Sequence, residues 1–157
     1  MTEALWKQAG KDLTTFMQNK FTSCSEKETI DFGAALAKKL KAGDTLVLKG
    51  NLGSGKTVIT KGIARGLGVA DLREVRSPTF CLCRVYEGRM PVFHVDAFRM
   101  EDPQELYDLD FPSEIAAGVL IVEWGERIER ELPSAHYIIE ITVAGPSERT
   151  IVLTPPD

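Results

Sequence analysis

The sequence predicts a three-layer α/β domain built on a mixed, mainly parallel central sheet with antiparallel hairpins. Three observations carry that expectation. Helical and strand-like segments alternate along the chain, the order that builds βαβ units. A glycine-rich turn, Gly50 to Gly55, joins an apolar β-prone run to a helical one. Two short turns, at Glu87-Gly88 and at Ala144-Gly145-Pro146, each lie between β-prone runs and read as hairpins.

Composition sets the scale. With 157 residues, 43% hydrophobic and 27% charged, the chain can bury a core as one globular domain. No repeat, low-complexity tract or Pro/Ser-rich linker marks a second one, so residues 21–157 are expected to form a single domain behind an extension at 1–20. In the extension Leu5, Ala9, Leu13 and Phe16 recur at helical spacing. This suits a short amphipathic helix, and equally a frayed end or a partner-binding arm. No stretch is apolar enough to span a membrane, and MTEALWKQAG lacks the apolar centre of a signal peptide. Three cysteines, an odd number, suggest reduced thiols and a cytoplasmic protein. Cys81 and Cys83 are expected to share one face of a strand. Only Cys24 and two distant histidines stand beside them, so packing is a better reading than a zinc site. The net charge of −4 argues against a strong direct grip on nucleic acid, while leaving room for a local basic patch.

Taken in order, Ser25-Glu26-Lys27-Glu28 is a capping box that opens a helix with the apolar face Ile30, Ala34, Ala37, Leu40. Lys38, Lys39 and Lys41 suit the negative end of its dipole, and Gly43 is expected to stop it. The run Thr45–Leu48 reads as a strand. It leads into Gly50-Asn51-Leu52-Gly53-Ser54-Gly55-Lys56-Thr57, which matches the P-loop (Walker A) template, and through Val58 into a helix reaching about Gly66. Glycines let backbone N–H groups close around a polyphosphate, and Lys56 can reach the β- and γ-phosphates. The Thr57 hydroxyl can hold Mg²⁺, and the helix points its positive end at the same phosphates. Four fixed positions match by chance in roughly 1 of 200 chains this long. A ligand-free glycine turn is the bland alternative, and the strand–loop–helix order favours a nucleoside triphosphate site.

Ser77-Pro78-Thr79-Phe80 reads as a turn before a strand over Cys81–Tyr86, which the hairpin returns as Pro91–Val95. Asp102-Pro103-Gln104-Glu105 is expected to start a helix, with Asp102 as N-cap and Pro103 at the first helical position. Val119–Val122 is an apolar strand, Glu126–Glu131 reads as a solvated helix face, and Tyr137–Val143 and Arg149–Thr154 form the second hairpin. Asp96 and Glu123 each end an apolar strand, where α/β folds place ligands. A triphosphate site needs a carboxylate for its metal and a group to orient the nucleophile, so these two are its catalytic candidates beside Lys56. Thr79 can sense a γ-phosphate, although motif chemistry alone favours a plain turn residue. His94 shares a strand face with Asp96 and reads as a core residue or a partner of the acidic group. Trp124 is either core or a stacking platform beside the site.

The motifs GNLGSGKT, SPTF, HVDAFR and VEWGER, in this order and spacing, resemble the TsaE (YjeE) family of bacterial P-loop ATPases over about Ser25 to Leu153. The resemblance implies an ATP-binding and ATP-hydrolysing component of the machinery that forms threonylcarbamoyladenosine in tRNA, working with TsaB and TsaD. It implies Thr57 and Glu123 as magnesium ligands, Asp96 as an essential acid near the phosphates, and Trp124 as an important neighbour. It raises Thr79 above a plain turn, and it brings Glu26 and Arg149 toward the nucleotide. Two positions depart from the family pattern: Asn51 stands where Asp is usual, and Phe98 where Tyr is usual. Other classes fit less well. A GTPase needs Asn-Lys-x-Asp after the P-loop, and the chain's Asn19-Lys20 precedes it, so ATP is expected to be preferred over GTP. A small-molecule kinase needs an arginine-rich lid that the sequence does not offer. A nucleotide-gated binding module without turnover is the serious rival.

Overall fold

The computed structural model describes residues 20–157 except Thr79, Asp110, Phe111 and Ser134. The expectations for the N-terminal extension and for Thr79 therefore lie outside the described residues, apart from Lys20. That residue begins β1 (Lys20–Ser23), a short strand the sequence pattern did not reveal. Helix α1 (Glu26–Ala37), β2 (Thr45–Lys49) and α2 (Lys56–Gly66) follow. Next come the hairpin β3 (Cys83–Tyr86) and β4 (Val92–Asp96), and the short helices α3 (Glu105–Asp108) and α4 (Pro112–Ile115). Strand β5 (Val119–Glu123) and the hairpin β6 (Tyr137–Val143) and β7 (Arg149–Thr154) complete the chain.

One seven-stranded sheet runs in the order β1-β7-β6-β2-β5-β4-β3. Its four central strands β6, β2, β5 and β4 are mutually parallel, and both hairpin edges are antiparallel. Helix α1 and helix α2 cover one face over Leu46, Leu48, Ile121 and Ile139. The other face, with Val47, Phe93, Leu120 and Val122, is covered by thinner material that includes Leu106, Ile128 and Leu132. The expected mixed α/β sheet is the one observed. The alternation that sends odd and even residues to opposite layers is the period-2 pattern of a strand buried on both faces.

Local departures have local causes. Helix α1 ends at Ala37, well before Gly43, because the backbone turns there and the N–H groups of Lys39 and Leu40 bond the Leu36 and Ala37 carbonyls. Its buried stripe is Thr29, Phe32, Gly33, Leu36 and Ala37; Ile30 and Ala34 form a half-covered margin. Strand β3 starts at Cys83 rather than Cys81, since Leu82 adopts a left-handed φ of 58°, so the two cysteines do not share a strand face. Pro103 lies before α3, which is one turn long, yet Glu105 Oε1 still accepts from the Asp102 N–H at 3.0 Å as the capping box requires. The Glu126–Glu131 stretch is two 3-10 turns, Gly125–Arg127 and Glu129–Glu131, around a buried Ile128.

The two long helices pack through glycine. A Cβ on Gly62 would stand 2.3 Å from the Ile30 carbonyl oxygen, and one on Gly33 would stand 2.6 Å from that of Ile59. Gly62→Ala gains about 1 kcal/mol of helix propensity but forces α1 and α2 apart, which costs about 1–3 kcal/mol. We expect a net loss, read as a melting temperature lower by a few degrees. An equal or higher melting temperature would show that the contact yields freely.

Candidate functional site

Three parallel strands end at the same edge. Glu123 pairs in register with Leu48 on one side and Asp96 on the other, so the chain ends of β2, β4 and β5 converge there. The segment after β2 turns over this edge and enters α2 at Gly55, whose φ of 111° falls where L-side chains are strained. Among the described residues no side chain caps α2, so its first-turn N–H groups remain available to an anion.

Within a cleft of about 500 Å³ lie Leu52, Gly53, Gly55, Lys56, Thr57 and Val58, facing Asp96, Glu123 and Trp124. The Thr57 hydroxyl donates to Glu123 Oε1 at 2.8 Å. Lys56 is buried, and its ammonium donates to the Gly50 carbonyl at 2.6 Å and the Asn51 carbonyl at 3.0 Å. It also lies 3.9 Å from the Trp124 ring centroid, a cation–π contact. Burial pulls the Lys56 amine below the usual lysine value, while the charges of Glu123, Glu126 and Asp96 pull it back up. Ser54 is buried, and among the described residues its hydroxyl has no partner.

Asp96 serves the loops. Its Oδ2 accepts from the Ser77 hydroxyl at 2.6 Å and its Oδ1 from the Phe98 N–H at 2.9 Å. It thereby ties the segment after α2 to the segment after β4, at the floor of the cleft. Trp124 follows Glu123 with a left-handed φ of 56° and is half-buried, with Phe98 tilted against it at 4.9 Å. Phe98 makes this contact through its ring alone. The Asn51 side chain is exposed, and its backbone carbonyl is what the lysine uses.

Glu26 and Arg149 stand across the P-loop, in a second hollow of about 300 Å³ that shares Gly53, Gly55 and Val58 with the first. Arg149 donates to the Ser54 carbonyl at 2.9 Å and the Gly53 carbonyl at 3.4 Å, so β7 braces the loop from outside. The structure thus brings all the described candidates to one loop and its two flanks. Sequence reasoning missed Ser77 and Arg99, both of which line the main cleft. Each lies within a quoted motif, Ser77 opening SPTF and Arg99 closing HVDAFR, so position gave a signal, but only the folded loops turn them inward.

The donor set fits the chemistry. A threonine hydroxyl and a carboxylate are hard oxygen ligands suited to Mg²⁺. Uncapped amides beside a buried ammonium suit a polyphosphate.

The comparisons with known proteins agree with that reading of the fold. The family model described as threonylcarbamoyl adenosine biosynthesis protein TsaE matches residues 23–151. A tRNA threonylcarbamoyladenosine biosynthesis protein TsaE of Bacillus subtilis is 42% identical over 140 residues, covering 87% of this chain and 85% of that one. The protein of the same name from Treponema pallidum is 36% identical, covering 83% and 96%. The crystal structure of Bacillus subtilis YdiB superposes with a TM-score of 0.73 at 34% identity, over 89% of this chain and 86% of that one. With the family model spanning most of the chain and relatives above 30% identity along nearly their whole length, this protein belongs to the TsaE family.

Proposed function

We propose that this protein binds and hydrolyses Mg²⁺-ATP as a component of the machinery that forms threonylcarbamoyladenosine in tRNA, acting in the cytoplasm with TsaB and TsaD. One observation carries the reading: the Thr57 hydroxyl, the Glu123 carboxylate and the buried Lys56 ammonium meet in one cleft at an uncapped helix start. In the site, Gly50 to Val58 would cradle the phosphates, Thr57 and Glu123 would hold Mg²⁺, and Asp96 would keep the surrounding loops in place. Trp124 would meet the nucleotide from the facing side, Glu26 and Arg149 would flank it, and Thr79 would be a further nucleotide contact. Bound Mg²⁺ would neutralise charge developing on the transferred phosphoryl group.

The acidic net charge of −4 fits a protein that reaches tRNA through its partners. Partner control of turnover also has support in the cleft. Arg99 lines it, yet the guanidinium lies 5.5 Å from the ring centroid of Phe80, which is 93% exposed. A docking partner that covers Phe80 would change where that arginine rests. Hydrolysis then resets the assembly between rounds.

The test is a phosphate-release assay on the protein alone and with TsaB and TsaD added stepwise, with GTP as competitor. Slow turnover alone, a rise on adding the partners toward the roughly 10³-fold an arginine can supply, and preference for ATP are expected. Equal rates with and without partners, together with nucleotide-independent docking, would refute partner control. Nucleotide-dependent docking with no turnover under any condition would favour the gated binding module.

A further inference from the structure

We propose that Tyr86 and His94 form a buried positioning relay that holds the Glu123 carboxylate for its metal and ties it to the segment entering the Ser77 loop. The inference rests on the proposed magnesium site and adds two residues to it. His94, on β4, is wholly buried, and its Nε2 lies 2.8 Å from Glu123 Oε1. An ionised carboxylate only accepts, so Nε2 carries the proton in this contact. The ring's other nitrogen, Nδ1, lies 3.1 Å from the Tyr86 hydroxyl on β3. In the neutral ring Nδ1 accepts, and burial raises the Tyr86 phenol, so its donor proton is retained.

Two features make this more than a satisfied core histidine. First, Thr57 and His94 both donate to Oε1 of Glu123, and among the described residues Oε2 has no protein donor. The carboxylate is fixed in orientation with one oxygen left for a ligand, which is what a metal site asks of the groups behind it. Second, the Tyr86 hydroxyl also lies 3.4 Å from the Arg76 carbonyl, immediately before Ser77, whose own hydroxyl bonds Asp96. Tyr86 has one proton and two acceptors, so its choice links the loop to the histidine and thence to Glu123. The antiparallel pairing of β3 with β4 is what makes this reach possible, since Tyr86 pairs with Val92, two residues from His94. Neither residue touches the cleft, so both act through Glu123 as positioning residues.

The test combines a spectroscopic and a binding readout. Long-range ¹H–¹⁵N spectra resolve the chain's two histidines, His94 and His136. His94 is expected as the Nε2–H tautomer, and Tyr86→Phe should shift its Nδ1 signal while leaving that of His136 in place. Calorimetry then measures ATP affinity with Mg²⁺ and with chelator. His94→Leu should cut the magnesium-dependent gain in affinity by about 10-fold or more, the usual loss for a partner behind a metal ligand. His94→Gln, which keeps a donor, should recover most of it, and chelated ATP should bind all variants alike. Should His94→Leu fail to fold, Tyr86→Phe decides, with a magnesium-dependent gain reduced by roughly 2- to 5-fold expected for one lost hydrogen bond. Folded variants that keep the parent's full gain, or His94 in the Nδ1–H tautomer, would overturn the proposal. A parent showing no magnesium dependence sinks the magnesium site itself and the proposal with it; that failure is distinct because it appears before any substitution is made.

Discussion

Replacing Lys56 with alanine is expected to weaken ATP binding by roughly 10²- to 10³-fold, about 3–4 kcal/mol. The size follows from where the ammonium sits. It is buried at 5% exposure, on the Trp124 ring and against the Gly50 and Asn51 carbonyls, so little water screens what it meets. Burial lowers its proton affinity, but three carboxylates, Glu123, Glu126 and Asp96, oppose that and favour the charged form. An arriving phosphate would draw the ammonium from two carbonyls to two or three anionic oxygens. Both sets of bonds involve the charged ammonium and are worth about 1.5–3 kcal/mol each, and anionic oxygens add a charge–charge attraction that neutral carbonyls lack, so binding gains on balance. Lys56→Arg should not rescue, because a longer planar fork cannot place a compact charge where the ammonium meets the Gly50 and Asn51 carbonyls. Trp124 emission provides a second reading: ATP should change it in the parent and not in Lys56→Ala. Affinity within threefold of the parent would remove Lys56 from the phosphate site.

Why the loop was legible, and other parts were not, follows from the range of the interactions. The P-loop carries its chemistry in eight consecutive residues between a strand and a helix, so composition and order suffice. Asp96 and Glu123 were legible because each closes an apolar run, and parallel pairing brings such ends together. Their division of labour was not legible. That Glu123 meets Thr57 while Asp96 meets Ser77 depends on contacts across 66 and 19 residues of chain. The relay through Tyr86 and His94 needs the register of a hairpin, which turn chemistry announces only approximately. Strand β1 is four residues at a sheet edge with one buried side chain, too little apolar signal to see. The start of β3 depends on a left-handed leucine, a conformation no local preference suggests. The stripe on α1 was misread because that helix has two partners, the sheet and α2. Its apolar sector is therefore wider than a single face, and Gly33 and Gly62 mark the second contact.

Glu123→Ala should reduce magnesium-dependent phosphate release by about 10³-fold while leaving metal-free ATP affinity close to the parent's. Lys56 gives the contrast, since on the proposed function it would meet the phosphates directly and Glu123 would meet them through the metal. Two effects compete to explain any loss. Alanine also strips an acceptor from His94 Nε2 and from the Thr57 hydroxyl, both at 2.8 Å, and buried donors left unpaired cost about 1–3 kcal/mol of stability each. A destabilised cleft would weaken chelated and magnesium-bound ATP together, and it would lower the melting temperature. Glu123→Gln separates the two causes. The amide keeps the volume and an oxygen acceptor for the histidine but loses the charge that a hard divalent ion needs. If the metal is what Glu123 serves, the amide variant should melt near the parent, bind chelated ATP normally, and still fail to turn over. Phosphate release at the parent's rate from Glu123→Ala under saturating Mg²⁺ would contradict the assignment. Asp96 gives the internal comparison, because its carboxylate lines the same cleft but is engaged by the Ser77 hydroxyl and the Phe98 N–H. Removing it should therefore disturb both chelated and magnesium-bound ATP, whereas removing Glu123 should disturb only the second.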